Sequence, residues 1–366
     1  MEKKKALIAM SGGVDSSVAA LLMQRKGYDC IGITMKLYNN EEAGISETHT
    51  CCSLSDIEDA RSVALNLGMP YYVTNFMDGF KEKVINNFVL TYIDGQTPNP
   101  CIDCNRCMKF DDLIQKAKEY GCEKIVTGHY ARVEKTEDGK FLLKKGLDPT
   151  KDQSYVLYFL SQEQLSMIEF PLGDTEKLDN RELAREAGLI NANKHDSQDI
   201  CFVPDGNYKR VVEKYAADLV SGFKLPGEGD FIDKDGNVLG KHKGYYYYTI
   251  GQRKGLGISA KEPLYVIKTI PKKNQVVLGS NDDLFTKNVH AVRFHFINQP
   301  DEGVKEIRCA AKIRYRAKET PGVLHINDDG SVDMVFDEAV RAVTAGQSLV
   351  VYDGDIVLGG GFIAYI

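Results

Sequence analysis

A glycine-rich turn near the N-terminus is the first part of the chain whose residue types and spacing could do chemistry. An apolar run at residues 7–10 passes directly into SGGVDSS at residues 11–17, and a second apolar run at residues 18–23 follows. This order predicts a strand, a tight turn and a helix start. Glycines let backbone N–H groups converge, and a helix N-terminus adds unpaired donors and a positive dipole end. The turn is therefore suited to an anion, with ATP phosphates as the first candidate and a serine-capped turn without a ligand as the alternative.

The residue types in this turn also indicate how ATP is used. The turn lacks the lysine of the GxxxxGK[ST] loop, which would contact the phosphates. The string SGGVDSS instead resembles the PP-loop of the ATP pyrophosphatases, which cleave ATP between the α- and β-phosphates and leave AMP on a substrate oxygen. The resemblance implies adenylation.

Thiols form the second group of candidate reactive residues. The segment TPNPCIDCNRC at residues 97–107 contains two prolines, which disfavour a helix and a central strand, so we expect a shaped loop that displays Cys101 and Cys104. Cys201 lies far downstream, within DSQDICFVPD at residues 196–205. Proximity in the fold decides whether Cys104 and Cys201 act together. The other cysteines are interpreted without a chemical role: Cys30, Cys122 and Cys309 as small buried side chains, Cys51 and Cys52 as loop and helix-start residues, and Cys107 as facing away.

The overall composition limits the class of protein. The chain has 366 residues, of which 43% are hydrophobic and 27% charged, and this fits two or three domains of a soluble globular protein. The charged start and the lack of a long apolar stretch predict a cytoplasmic protein with no membrane partner. Nine cysteines, an odd number, favour metal ligation or thiol chemistry over a disulfide framework. Because the net charge is −6, a nucleic acid would have to bind a local basic patch.

The first part of the chain alternates strand-like and helix-like segments. Besides the first strand, the pattern predicts strands at 30–35, 71–74 and 124–127 and helices at 16–26, 79–91 and 110–120. Such alternation predicts a parallel sheet with right-handed crossovers, and ligands bind at the carboxyl ends of its strands. Ser11, Met35 and Gly128 fall at such ends.

Beyond about residue 205, helical periodicity fades and short β-rich runs separated by glycine replace it. Runs at 243–250 and 265–268 predict a central β-rich domain, and alternating runs from 289 onward predict a small β-barrel. The expected architecture is an α/β parallel-sheet nucleotide-binding catalytic domain over 1–205, a β-rich domain over 206–284 and a C-terminal β-barrel over 285–366.

Several motifs in the same order resemble one family over nearly the full chain. Besides the PP-loop and the TPNP segment followed by Cys104 and Asn105, they are GHY at 128–130, KDQSY at 151–155, DICF at 199–202, GQRKGLG at 251–257 and LGGG at 358–361. Together they are similar to the bacterial tRNA-specific 2-thiouridylases, which install sulfur at C2 of the wobble uridine (position 34) of certain tRNAs. The resemblance implies the activity of a tRNA-uridine 2-sulfurtransferase, with a PP-loop domain like those of the adenine nucleotide α hydrolases and two β domains that grip tRNA.

The chemistry of this reaction explains why ATP and thiols occur together. Oxide is a poor leaving group, so the uracil O2 must be adenylated before sulfur can replace it, and we expect Mg²⁺ to help pyrophosphate depart. By similarity, Cys201 carries the sulfur as a persulfide received from a cysteine desulfurase or a sulfur-relay protein. Cys104 is then the partner thiol, which liberates hydrogen sulfide or resolves the intermediate as a disulfide.

Three alternatives remain open. Many relatives have an aspartate where Cys101 stands, and the additional thiol would allow Cys101, Cys104 and Cys201 to hold a [4Fe-4S] cluster with one iron open to hydrosulfide. An adenylating ligase or amidotransferase with the same loop would use ammonia or an amine and would need neither Cys104 nor Cys201. A non-catalytic tRNA-binding or iron-sulfur protein would show no dependence on ATP.

The resemblance also implies which residues contact each substrate. The nucleotide-binding residues are Ala9, Met10, Ser11, Gly12, Gly13, Val14, Asp15, Ser16, Met35 and Gly128, with Asp15 as a candidate indirect metal contact. The RNA-binding residues are Pro98, Asn99, Pro100, His129, Lys151, Asp152, Gln153, Arg314, Tyr315 and Gln347. A basic run over 308–318 also predicts a phosphate-binding stripe, in which Lys312, Arg314, Arg316 and Lys318 share one face of a strand, although a solvated sheet face is the alternative.

Overall fold

A computed structural model of the chain describes residues 3–38, 54–195, 200–220 and 222–365. The chain forms two compact units. Unit 1 comprises Met1–Val84, Cys101–Gly206 and Asp355–Leu358, and unit 2 comprises Ile85–Pro100, Asn207–Gly354 and Gly359–Ile366. Cys51 and Cys52 lie outside the described residues. Within the described ranges, no helix is long and apolar enough to cross a membrane.

Unit 1 is built around a five-stranded parallel sheet, as the alternation of segments predicts. The strands are β1 (Lys5–Ala9), β2 (Asp29–Lys36), β3 (Tyr71–Asn75), β4 (Lys124–Val126) and β7 (Ile168–Glu169), in the spatial order β3-β2-β1-β4-β7. Ala6, Leu7 and Ile8 of β1 have no exposed surface, as expected for the central strand of a parallel sheet. The same unit contains the hairpin of β5 (Ala131–Lys135) and β6 (Phe141–Lys145).

Helices connect and extend these strands. They are α1 (Val14–Arg25), α2 (Leu54–Asn66), α3 (Met77–Phe80), α4 (Asn86–Ile93), α5 (Pro100–Asp103), α6 (Leu113–Glu119), α7 (Gln162–Met167) and α8 (Lys177–Glu186), with π-helical segments at Lys81–Ile85 and Cys104–Asp112 and a 3₁₀ turn at Ser154–Val156. All of α4 belongs to unit 2, which includes the segment Ile85–Pro100.

The helix predicted over 79–91 is confirmed, although a π-helical segment lies within it between α3 and α4. One sequence prediction for this part of the chain is wrong. The loop expected to display Cys101 and Cys104 is instead helical, because Pro100 begins α5. A proline is tolerated there, since its fixed φ suits the first helical residue and its missing N–H would have no partner in the helix.

Unit 2 contains a small mixed sheet and a closed barrel. The small sheet has β8 (Gly229–Ile232), β9 (Val238–His242), β10 (Tyr265–Ile270) and β11 (Gln275–Gly279), in the order β10-β11-β8-β9. The barrel strands are β12 (Phe285–Phe296), β13 (Glu306–Lys312), β14 (Thr320–Ile326), β15 (Val332–Arg341), β16 (Ser348–Asp353) and β17 (Ile356–Ala364). Pairing of β12 with both β15 and β17 closes the barrel, which confirms the predicted β-barrel. Single 3₁₀ turns occur at Tyr245–Tyr247, Pro271–Lys273 and Asp282–Leu284.

Three local predictions for unit 2 are also wrong. A helix, α9 (Tyr208–Leu219), follows residue 205, where helical periodicity was expected to fade. The tyrosine run at 245–248 forms a 3₁₀ turn rather than a strand, and Tyr245 and Tyr246 are buried. Strand β13 ends at Lys312, so Arg314, Arg316 and Lys318 lie in the turn that follows and do not share a strand face with Lys312.

Candidate active site

The nucleotide loop lies between the end of β1 and the start of α1, at the carboxyl edge of the sheet. Gly12 has a φ of +74°, and a Cβ there would stand 2.3 Å from the Asp56 carbonyl oxygen, so only glycine fits. The Ser16 hydroxyl accepts from the Ser11 N–H (3.2 Å) and donates to the Gly13 carbonyl (3.0 Å). The tight turn therefore delivers the chain into a twelve-residue helix whose first N–H groups face outward from its end.

Gly128 packs directly against this loop from the neighbouring strand. It follows β4, and a Cβ on it would lie 2.8 Å from both the Asp15 carbonyl carbon and the Ser16 nitrogen. Met35 is the next-to-last residue of β2, on the other side of β1. The structure thus brings the residues predicted to bind ATP to one edge of unit 1, which is the arrangement that ligand binding at strand ends requires.

Asp15 has a cationic partner that the sequence does not reveal. The Lys177 ammonium lies 2.6 and 2.8 Å from the two Asp15 carboxylate oxygens, and the Tyr130 hydroxyl donates to the same carboxylate at 2.8 Å. The Lys177 side chain is only 7% exposed. Lys177 therefore neutralises the Asp15 carboxylate in this structure, and the role of Asp15 as an indirect metal contact stays a prediction.

Cys201 is fixed to the same edge of the sheet as the nucleotide loop. The hydroxyl of Tyr38, two residues beyond β2, donates to the Cys201 carbonyl at 2.8 Å. The next residue, Phe202, is buried and packs edge-on against Phe80 of α3, with ring centroids 5.7 Å apart. Since β2 and β1 are parallel neighbours, Cys201 and the loop after β1 lie at the same edge.

The helix that carries Cys104 packs on the same short helix, α3. A Cβ on Gly79 of α3 would meet the Met108 methyl at 3.5 Å and the Asp112 carboxylate at 3.7 Å, and both residues belong to the π-helical segment that starts at Cys104. Because Phe80 contacts Phe202, α3 contacts both cysteine-bearing segments.

The described cysteines differ in exposure. Cys101 is exposed, and Cys104 and Cys201 are half-buried. Among the described residues, which include these three, no group of three or more His, Cys, Asp or Glu side chains is gathered to hold a metal ion. Cys30, Cys122 and Cys309 are buried as predicted, and burial raises the pKa of Cys30 and of Cys309 to about 11.

His129 occupies a core position, although contact with RNA was expected. It is 7% exposed and packs against Phe110 and Phe170, with ring centroids 5.9 and 5.7 Å away. Its Nδ1 lies 2.6 Å from the Thr127 hydroxyl. Burial, aided by the nearby Lys109, holds the pKa of His129 well below its ordinary value, so the ring is neutral.

Two of the residues expected to touch RNA in unit 1 shape their own loop. The Asp152 carboxylate accepts from the Gly146 and Ser154 N–H groups, both at 3.1 Å. Gln153 exchanges two hydrogen bonds with Tyr130, one through its side chain and one through its N–H. These contacts fix the loop that presents the half-buried Lys151.

In unit 2, Gln347 and the TPNP segment are in direct contact, although Gln347 lies 249 positions after Pro98 in the sequence. The Gln347 amide donates to the Thr97 carbonyl at 3.0 Å and to the Pro98 carbonyl at 3.1 Å. Arg314 and Tyr315 lie in the exposed turn after β13. The predicted RNA contacts Pro98 and Gln347 are therefore neighbours.

A parallel α/β sheet with this loop, followed by a small sheet and a closed barrel, defines a nucleotide-binding protein of the PP-loop class. Three family models match the chain: a tRNA methyl transferase HUP domain at residues 4–205, a tRNA methyl transferase PRC-barrel domain at 219–280 and an aminomethyltransferase beta-barrel domain at 286–363. The first covers more than half of the chain.

Whole-length relatives identify the family more narrowly. The tRNA-specific 2-thiouridylase MnmA of Clostridioides difficile (strain 630) is 52% identical over 361 residues, covering 98% of each chain. The MnmA of Clostridium beijerinckii is 49% identical over 364 residues, covering 100% of this chain and 99% of the relative. That of Acetivibrio thermocellus is 48% identical and covers 99% of this chain and 100% of the relative. The chain therefore belongs to the family of tRNA-specific 2-thiouridylases.

Proposed function

We propose that this protein catalyses ATP-dependent 2-thiolation of the wobble uridine of tRNA. The observation that carries the proposal is the placement of Cys201 at the sheet edge that also bears the PP-loop, with α3 packed against both cysteine-bearing segments. The family relationship supports it over the full length of the chain. An activated pyrimidine held at this edge would be near both the nucleotide loop and a sulfur carrier.

Adenylation is the first step of the proposed reaction. The uracil O2 attacks the α-phosphorus of ATP, the bond to the β-phosphate oxygen breaks, and pyrophosphate leaves. The N–H groups of residues 12–16 and the end of α1 would stabilise the charge that develops on pyrophosphate, and we propose that ATP enters with Mg²⁺. The O2 of the base then belongs to AMP, which is a good leaving group.

Sulfur transfer is the second step. The terminal sulfur of a Cys201 persulfide attacks C2, the C2–O bond breaks, and AMP departs with the former O2. The Cys104 thiolate then attacks the inner sulfur of Cys201, which releases 2-thiouridine and forms a Cys104–Cys201 disulfide. An external thiol reductant must reduce this disulfide, and a cysteine desulfurase or sulfur-relay protein must restore the persulfide before the next turnover.

The remaining parts of the chain would bind and orient tRNA. We propose the division into a catalytic domain over 1–205, a central domain over 206–284 and a barrel over 285–366, which the ranges of the three family models support. The contact between Gln347 and the TPNP segment supports a role for both in holding RNA. A tRNA substrate and a protein sulfur donor imply a cytoplasmic location.

A cysteine series with two readouts tests this proposal. Cys104→Ser and Cys201→Ser are compared with Cys107→Ser, whose thiol lies in the same helix as Cys104 and is also half-buried. With unmodified tRNA, ATP and a persulfide donor, we expect neither of the first two variants to form 2-thiouridine. Cys201→Ser should release pyrophosphate and leave AMP on the base, Cys104→Ser should release AMP and leave the nucleoside joined to Cys201, and Cys107→Ser should behave like the wild type. If Cys104→Ser and Cys201→Ser formed the ATP-dependent nucleoside product as well as the wild type does, neither thiol would be needed. That result would indicate a ligase or amidotransferase.

Cys101→Ser separates the persulfide route from the cluster route. The persulfide route predicts a colourless protein and retained thiolation in this variant. A brown wild-type protein that is active with sulfide alone and loses its iron and activity in Cys101→Ser would favour the [4Fe-4S] route. If no activity depended on ATP, both the persulfide route and the cluster route would be rejected. A non-catalytic tRNA-binding or iron-sulfur protein would then be the remaining alternative.

A further inference from the structure

Two side chains from one stretch of unit 1 hold the backbone of the nucleotide loop. The Asn191 amide donates to the Gly12 carbonyl at 3.0 Å and to the Ser17 hydroxyl at 2.8 Å. The Lys194 ammonium donates to the same Gly12 carbonyl at 3.2 Å. None of the motifs discussed above includes Asn191 or Lys194.

Both side chains are fixed in these positions. The Lys194 ammonium also lies 2.5 Å from Asp56 and 2.6 Å from Asp59 in α2. Burial opposes its charge, but the hydrogen bonds to these carboxylates outweigh burial and raise the pKa of Lys194. Arg181 of α8 donates to the Lys194 carbonyl at 2.9 Å, which anchors the stretch itself. The charge and the position of Lys194 are therefore set before any nucleotide arrives.

The orientation of the Asn191 amide is dictated by the loop. Asn191 is 4% exposed, and its side-chain oxygen is buried without a hydrogen-bond partner. A reversed amide would direct that oxygen at the Gly12 carbonyl and at the Ser17 hydroxyl, whose proton is already donated to the Gly13 carbonyl at 3.0 Å. The amide thus leaves its own acceptor unsatisfied in order to donate to the loop.

The restrained carbonyl determines where the next N–H points. The Gly12 carbonyl and the Gly13 N–H belong to one peptide group, which is trans like every peptide bond among the described residues. In a planar trans peptide these two groups point in opposite directions. With the Gly12 oxygen held towards Asn191 and Lys194, the Gly13 N–H points away from them, and no acceptor for it occurs among the described residues. Glycine on both sides leaves this peptide otherwise free to rotate.

We propose that Asn191 and Lys194 are positioning residues that hold the Gly12–Gly13 peptide with its N–H directed at the bound phosphates, and so set the affinity for the pyrophosphate part of ATP. The inference rests on the proposed use of ATP. It assigns the two residues no contact with the adenosine or with tRNA.

Direct binding measurements test this inference without requiring turnover. Asn191→Asp keeps the shape of the side chain and removes both donors, and Lys194→Met removes the charge. We expect each variant to raise the Kd for ATP and for pyrophosphate roughly tenfold, the effect of one lost hydrogen bond, and to leave the Kd for AMP unchanged. In the thiolation assay, KM for ATP should rise while KM for tRNA stays the same, and Lys194→Arg should restore most of the affinity.

Matched controls separate positioning from general damage. Asn66→Asp loses an exposed amide-to-carbonyl bond to Gly188, and Lys118→Met loses an exposed ion pair with Glu163, so both should bind ATP like the wild type. Unchanged ATP and pyrophosphate affinities in Asn191→Asp and Lys194→Met would overturn the inference, as would an equal loss of ATP and AMP. If Asn191→Asp does not fold, the ATP and pyrophosphate affinities of Lys194→Met and Lys194→Arg test the inference. A wild-type protein that binds ATP in this pattern but does not thiolate tRNA would refute the proposed function alone.

Discussion

Replacing Gly128 by alanine is the sharpest steric test of the nucleotide site. The added Cβ would stand 2.8 Å from the Asp15 carbonyl carbon, 2.8 Å from the Ser16 nitrogen and 2.9 Å from the Asp15 Cβ. These are backbone atoms and a first side-chain carbon, so no flexible side-chain end can move aside. The methyl group must push the first turn of α1 away from β4 or remain under compression.

The size of the effect follows from the cost of overpacking. An extra methyl group in a tightly packed place costs about 1–3 kcal/mol. If the conformation that binds ATP bears this cost, the Kd for ATP rises roughly 5-fold to 150-fold, since about 1.4 kcal/mol corresponds to a factor of ten. If the compression remains in the unliganded protein, the free energy of unfolding falls by a similar amount.

Calorimetric ATP titration and thermal unfolding together measure both outcomes. Gly79→Ala is the matched control, because its Cβ would meet Met108 at 3.5 Å, an ordinary contact. We expect the control to match the wild type and Gly128→Ala to lose ATP affinity, with KM for tRNA unchanged. A Gly128→Ala protein with wild-type affinity and wild-type stability would refute the packing argument.

Three further predictions concern other contacts. The folded protein keeps His129 neutral, whereas the unfolded chain binds a proton at this residue below about pH 6.5. The free energy of unfolding should therefore fall as the pH falls, by up to about 1.4 kcal/mol per pH unit. Urea unfolding at a series of pH values should show a weaker dependence on pH for His129→Gln. Lys177→Met leaves the partly exposed Asp15 carboxylate without its hydrogen-bonded cation and should lower the free energy of unfolding by about 1–3 kcal/mol, measured as a lower Tm; an unchanged Tm would contradict this role. Gln347→Ala loses its bonds to the Thr97 segment and should raise KM for tRNA roughly fivefold while KM for ATP stays constant.

Local patterns made much of the fold predictable. Each strand of unit 1 that was predicted is a short apolar run next to a turn, and the glycine loop fixed where α1 begins. The missed helix α9 shows the limit of that approach. The buried residues of α9 do follow helical spacing; they are Val211, Val212, Tyr215 and Ala216. This short pattern was overlooked because glycine-rich and β-rich stretches follow it directly.

The supporting residues of the site could not be found in the same way. Lys177 is 162 positions from Asp15, and Lys194 is 182 from Gly12, and neither lysine stands in a pattern that points to a partner. The prediction of a loop at Cys101 and Cys104 was wrong for a different reason. A proline interrupts the interior of a helix but is favourable at its first residue, and Pro100 is the first residue of α5. Local spacing identifies elements and loops, whereas contacts across the sheet depend on the whole topology.

A single-turnover sulfur transfer experiment tests the central claim most directly. The protein is loaded with an isotopically labelled persulfide at Cys201, freed of donor, and mixed with unmodified tRNA in the presence or absence of ATP. We predict that the label appears at C2 of the wobble uridine only with ATP, with one AMP released per labelled nucleoside. Label that stays on the protein, or reaches tRNA equally well without ATP, would contradict a shared site for the nucleotide loop and the two thiols.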